Sequence, residues 1–153
     1  MRAPSRIGLH NRQRKVLVDV AALCTFAESA LGAATGTKPR TGSVLQDLER
    51  LDVMLVSDAR IAALHRRFMN IAGPTDVITF QHGEIFVSAE TAKANARRFR
   101  TTTDAEIRLY IAHGILHLMG FDDTTPSAAR MMAKAQERLV AAAETDAARR
   151  RSG

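Results

Sequence analysis

The sequence predicts an α+β domain with about four short strands, packed helices, and a metal site on a central helix. Three observations carry that expectation. Compact runs rich in β-branched and aromatic residues, at 52–56, 75–80 and 84–87, are bounded by turn residues and too short for helices. Longer stretches around them repeat apolar residues every three or four positions, the period of a helix with one buried face. One of these stretches places His113 and His117 four residues apart, so both rings share one helix face, one turn from each other.

Length and composition set the frame. A chain of 153 residues suits one domain, 1–153, with one sizeable core. Hydrophobic residues make up 46%, enough to fold rather than stay disordered. No apolar run is long enough to span a bilayer and the first residues lack a hydrophobic signal core, so no membrane partner is expected. The lone Cys24 excludes an internal disulfide and fits a reducing cytoplasm; its apolar helical surroundings favour packing over reactivity. A net charge of +6 and a pI near 10.4 point to an anionic partner such as nucleic acid.

The elements follow in order. Arg6 to Gln13 reads as a basic edge strand. Lys15 to Leu31 reads as a helix with Val16, Val20, Leu23, Ala27 and Leu31 on one face. Gly32 to Gly42, with Pro39, reads as a mobile loop, and Ser43 to Arg50 as a short helical turn. Asp52 to Val56 is a buried strand. Ser57 or Asp58 caps a helix with Ile61, Leu64, Phe68 and Met69 on its apolar face; Arg60, His65, Arg66 and Arg67 share that helix, where charge runs are usually only solvated. After Gly73-Pro74, Thr75 to Phe80 and Glu84 to Val87 form a hairpin about Gln81-His82-Gly83. Ser88 caps a helix burying Ala92, Ala96 and Phe99. Thr103 and Glu106 have the T-x-x-E spacing of a capping box and open the histidine helix. Pro126 starts the last helix at its first position, with Met132, Ala135, Leu139 and Val140 as its stripe; residues 149–153 are expected to fray.

The histidine helix concentrates the chemistry. A bare H-x-x-x-H is common on ordinary helices. Here Gly120 follows three residues after His117, where a helix can end in the left-handed conformation, and an acid follows three residues after that, giving H-x-x-x-H-x-x-G-x-x-D. The chain can then return Asp122 or Asp123 toward the two rings. Two imidazoles and one carboxylate make a three-ligand catalytic metal site with a position left for water.

The run His113-Gly114-Ile115-Leu116-His117-Leu118-Met119-Gly120-Phe121-Asp122 resembles the signature of YbeY-type endoribonucleases, the bacterial ribosomal RNA maturation factors, which reads H-G-x-L-H-L-x-G-[YF]-D-H. Pro74 to Phe80 resembles that family's P-T-D-V-L-S-F strand, and Gly83-Glu84-Ile85 its G-D-I. Order and spacing agree from about Leu51 to Val140. The resemblance implies a small mixed sheet, one zinc ion, and an RNA substrate: a single-strand-preferring endoribonuclease acting on ribosomal RNA precursor and the small subunit, in ribosomal RNA maturation and ribosome quality control. The register of the signature implies His113, His117 and Asp123 as the metal ligands, acting through a metal-bound water. Two departures stand out. The signature's third histidine falls on Asp123, an oxygen ligand that zinc also accepts. The arginine that family members usually carry ahead of the proline falls on Met69, leaving Arg66 and Arg67 as candidate phosphate contacts.

Other functions compete. Zinc acidifies a bound water to a pKa of about 7 and polarises phosphoryl oxygens, which suits phosphodiester cleavage. Metzincin-like metalloproteases share the ligand spacing but place Glu after the first histidine as general base; here that residue is Gly114. Asp122 can act as a base, although acids beside a ligand more often orient a ring, and His82 and Glu84 are candidates to approach from the hairpin. A catalytically weak ribosome-associated RNA-binding module is the remaining alternative. Its support is the missing arginine; against it stands the open metal position, since structural zinc is normally closed by four protein ligands.

Overall fold

Residues 6–152 are described by the structure, a computed structural model. Strands β1 (Ile7–Asn11), β2 (Leu51–Val56), β3 (Val77–Phe80) and β4 (Glu84–Ser88) pair in the order β1-β2-β4-β3. The sheet is mixed. β1 and β2 are parallel, as are β2 and β4, while β3 and β4 form an antiparallel hairpin with Val77 opposite Val87. Parallel neighbours need a crossover. Helix α1 (Val20–Thr35) lies between β1 and β2 in sequence, and α2 (Asp58–Met69) between β2 and the hairpin. Helices α3 (Ala89–Phe99), α4 (Thr103–Leu118) and α5 (Pro126–Ser152) follow.

The central strands are apolar at nearly every position because both faces are covered. Successive side chains point to opposite faces. Leu51, Val53 and Leu55 of β2, with Ile85 and Val87 of β4, join the main core with α1, α4 and α5. Met54 and Val56, with Phe86, face a second cluster under Ile61 and Leu64 of α2. Helix α4 is thereby sandwiched in the main core: Ile107, Ile111, Ala112, Ile115 and Leu118 are each fully buried.

Several boundaries differ from expectation, each for a local reason. α1 begins at Val20 rather than Lys15. Gln13 holds both the N–H and the C=O of Val16 at 2.9 Å, which locks a turn, and Asp19 then caps the helix by accepting from Ala22 N at 3.0 Å. The helix also runs on to Thr35 through Gly32, because Ala34 still has a core to enter. Phe68, Met69 and Phe99 are exposed instead of buried, since their helices end there: Asn70 and Arg100 take left-handed cap conformations. The cap of α4 is Thr102, accepting from Ala105 N at 3.1 Å, not Thr103. The expected fray at 149–151 is helix, and Arg150 donates to Ser29 Oγ at 3.2 Å on α1.

Candidate metal centre and its adjoining cavity

Close packing fixes the height of α4 on the sheet. A Cβ at Gly114 would fall 2.8 Å from two carbons of the Ile85 side chain on β4, so glycine is what permits this approach. The C-terminal end is fixed as tightly. Gly120 has φ 98°, a conformation L side chains rarely adopt, and a Cβ there would lie 2.8 Å from Thr41 O. Val44 N donates to Leu118 O at 2.8 Å and Phe121 N to Leu116 O at 3.0 Å, so the last carbonyls of the helix are satisfied while the chain reverses.

That reversal brings the donors together. One ligand atom from each of His113, His117 and Asp123 lies within 4.8 Å of the other two. The two Nε2 atoms are 3.1 Å apart, and Asp123 Oδ2 is 3.8 Å from His113 Nε2. His113 Nδ1 donates to Gln136 Oε1 of α5 at 3.0 Å, which orients the ring with Nε2 toward His117. The His117 ring hydrogen-bonds the backbone of Phe121. Burial, reinforced by the neighbouring His113, lowers the His117 pKa despite the opposing pull of Asp123, so the neutral ring is favoured. The two Nε2 atoms point at one spot from the same helix face, with the Asp123 carboxylate beside them, and a cation placed there would be held by all three. Nitrogen, nitrogen and carboxylate oxygen together suit a divalent transition metal.

The adjacent acid has other partners. Asp122 Oδ1 accepts from Thr124 N at 3.1 Å and Thr124 Oγ1 at 2.8 Å, and these bonds lower its pKa. Its carboxylate is thus turned into the following turn, while Asp123 faces the rings.

Residues 8–144 match the family model described as Endoribonuclease YbeY. The chain belongs to the YbeY endoribonuclease family. Among curated members it is 36% identical over 124 residues to an Endoribonuclease YbeY of Anaeromyxobacter sp. (strain Fw109-5), covering 72% of this chain and 65% of that one. A second, from Anaeromyxobacter dehalogenans (strain 2CP-C), is 35% identical over 124 residues, covering 72% and 64%. The chain therefore spans just under two thirds of the length of these YbeY relatives. The fold is similar to the solution structure of TM1509 from Thermotoga maritima, with a TM-score of 0.65, 26% identity, and coverage of 92% of this chain and 90% of that one.

Against the YbeY signature, the structure brings His113, His117 and Asp123 together and leaves other expected residues elsewhere. Arg66 and Arg67 lie exposed in the last turn of α2, which packs on β3, β4 and α3 and belongs to the cluster on the other sheet face from α4. They join neither the donor group nor the cavity beside it. His82 and Glu84 pair with each other on the hairpin. Met69, where the resemblance led an arginine to be expected, is exposed. A cation that sequence reasoning missed lies nearer: Arg40 sits 4.1 Å over the Phe121 ring, beside the turn carrying the acids.

A cavity of about 420 Å³ opens on the His113 side of α4. Glu106, Tyr110 and His113 line it from the helix, Asp76 from the approach to β3, Asn95 and Phe99 from α3, and Gln136 from α5. Glu106, read from sequence as half of a capping box, is 4% exposed and looks inward, because the cap lies one residue earlier. Burial, with the charge of Asp76, raises its pKa. Asn95 Nδ2 donates to Tyr110 Oη at 2.7 Å, and burial raises the pKa of that phenol. Only the spacing of Glu106, Tyr110 and His113 at i, i+4 and i+7 could have signalled this wall in advance.

Proposed function

We propose that this chain is a zinc-dependent endoribonuclease, one zinc per chain, preferring single-stranded RNA and acting in the cytoplasm on ribosomal RNA precursor and the small subunit, in ribosomal RNA maturation and ribosome quality control. The observation that carries the reading is the convergence of His113, His117 and Asp123 beside an open cavity. Family membership supplies the substrate class.

Each residue then has a task. His113, His117 and Asp123 hold the metal, which when bound supplies a Lewis acid for the phosphoryl group and an acidified water. Gln136 orients His113, and the Phe121 backbone orients His117. Asp123 brings a negative charge that an imidazole in its place would not. Arg40, beside the acids, meets the phosphate nearest the site, while Arg66 and Arg67 meet flanking phosphates. A protease reading lacks support: Gly114 offers no base, and its contact with Ile85 leaves no room for one. The missing arginine at Met69 favours a second reading, a ribosome-associated binding module with weak catalysis. Purified metal-loaded protein incubated with structured ribosomal RNA precursor separates the two. Cleavage that disappears in His117→Ala supports the nuclease; tight binding without cleavage supports the module.

A further inference from the structure

The cavity beside His113 has a purpose that phosphodiester chemistry leaves unassigned. Its polar walls are two carboxylates, two amides, a phenol, a threonine hydroxyl and the His113 ring, with the exposed aromatic ring of Phe99 at one side. Glu106 is more than nine-tenths buried and lines this space, and no hydrogen bond to its carboxylate is found among the described residues. Its oxygens are not sealed from solvent, since the one buried side-chain atom without a partner among the described residues is Thr79 Oγ1; they open onto the cavity, where an occupant that supplies N–H groups can take the place of water on them. Asp76 is committed at Oδ1, which accepts from Val77 N at 2.8 Å.

The occupant's chemistry follows by exclusion. Phosphate is repelled by two acids facing one space. A second metal ion lacks a ligand set: the one group of three or more imidazole, thiolate or carboxylate donors among the described residues is His113, His117 and Asp123. A neutral, planar group with adjacent N–H donors satisfies Glu106 and lies against Phe99. Among nucleobases only guanine presents two neighbouring donors, N1–H and the 2-amino group, to both oxygens of one carboxylate. Position agrees. Glu106 is seven residues before His113 on the same helix face, about 10 Å along the axis, the scale of one nucleotide from phosphate to base edge.

We propose that this cavity is a nucleobase pocket that selects guanine next to the cleaved bond, with Glu106 as the specificity-determining acceptor and Phe99 as the stacking surface. The proposal rests on the RNA reading above for its biological substrate, but its test does not need cleavage. Metal-loaded full-length protein is titrated calorimetrically with GMP, AMP, CMP and UMP. All four share ribose and phosphate, so differences report the base. GMP binds tighter than the other three by roughly fivefold to a hundredfold, the discrimination of one bidentate base contact of about 1–3 kcal/mol. Glu106→Gln reduces GMP to the level of the others while metal content and melting temperature stay unchanged. Phe99→Ala, altering an exposed side chain, weakens all four and serves as the test should Glu106→Gln fail to fold. Equal affinities in the wild type, a GMP preference that survives Glu106→Gln, or GMP binding indifferent to Phe99→Ala overturns the pocket. So does a second metal equivalent that Glu106→Gln abolishes. If GMP is preferred but no RNA is cut, the nuclease reading fails and the pocket stands; if RNA is cut without base preference, the reverse holds.

Discussion

Asp122 and Asp123 are neighbours with the same side chain, and only the turn after Gly120 tells them apart. Asp122 spends Oδ1 on two bonds to Thr124, whereas Asp123 stays within reach of both histidines. Elemental analysis should therefore find metal retention sharply reduced in Asp123→Ala and close to wild type in Asp122→Ala. The opposite pattern would mean that the wrong acid has been assigned. Gln136→Ala should weaken metal affinity by roughly tenfold to a hundredfold, the usual effect of losing the partner that orients a ligating histidine. The two histidines were legible in the sequence because four-residue spacing is a property of one helix. Gln136 was not, because it reaches His113 from a different helix, through the packing of α5 on α4. Glu106 was misread for a smaller reason: a one-residue shift of the cap, from Thr103 to Thr102, separates a capping acid from a buried one.

At the scale of elements, the site depends on how closely α4 approaches the sheet. Gly114→Ala forces a methyl group against Ile85, which is itself fully buried. A loss of about 1–3 kcal/mol in denaturant unfolding is expected, typical of overpacking a tight core. Unchanged stability would show that Ile85 repacks freely. The pairing of β1 with β2 carries a pH dependence. Burial pushes the Asp52 carboxyl up, but hydrogen bonds and charge from His10 and Arg50 outweigh it and leave the pKa lowered. A carboxyl lowered in the folded state contributes stability above its unfolded pKa, about 3.9, and loses it as pH falls through the folded value. Asp52→Asn should cost about 1 kcal/mol near neutrality, with the gap to wild type closing in acid. An equal gap at both ends would remove the ion pair from the account. The hairpin, the buried strands and the cap at Ser88 were legible in the sequence, and the cap of α2 was narrowed to Ser57 or Asp58, of which the structure uses Ser57. The start of α1 was not, because Gln13 overrides a helical period by bonding the backbone itself.

Across the whole molecule, the charge of +6 is the feature most directly tied to RNA. Phosphate contacts release counterions, so RNA affinity should fall steeply and linearly on a logarithmic salt axis. Neutralising Arg66 and Arg67 together should lower that slope by between one and two; a flat salt response, or a slope unmoved by the double variant, argues against backbone binding there. Strand order lay beyond the residues themselves. Both central strands are apolar on each face, and such runs do not state their neighbours; the small mixed sheet was expected from the family resemblance and is what the structure has. The central claim is that the group His113, His117 and Asp123 holds a metal on which RNA cleavage depends. Its most direct test measures metal content and cleavage rate on one purified sample, as chelator removes the metal and added zinc returns it. Cleavage should fall in proportion to metal, recover with it, and stay absent in His117→Ala at any zinc concentration. Full cleavage by metal-free protein, or equal rates in His117→Ala, would contradict the account.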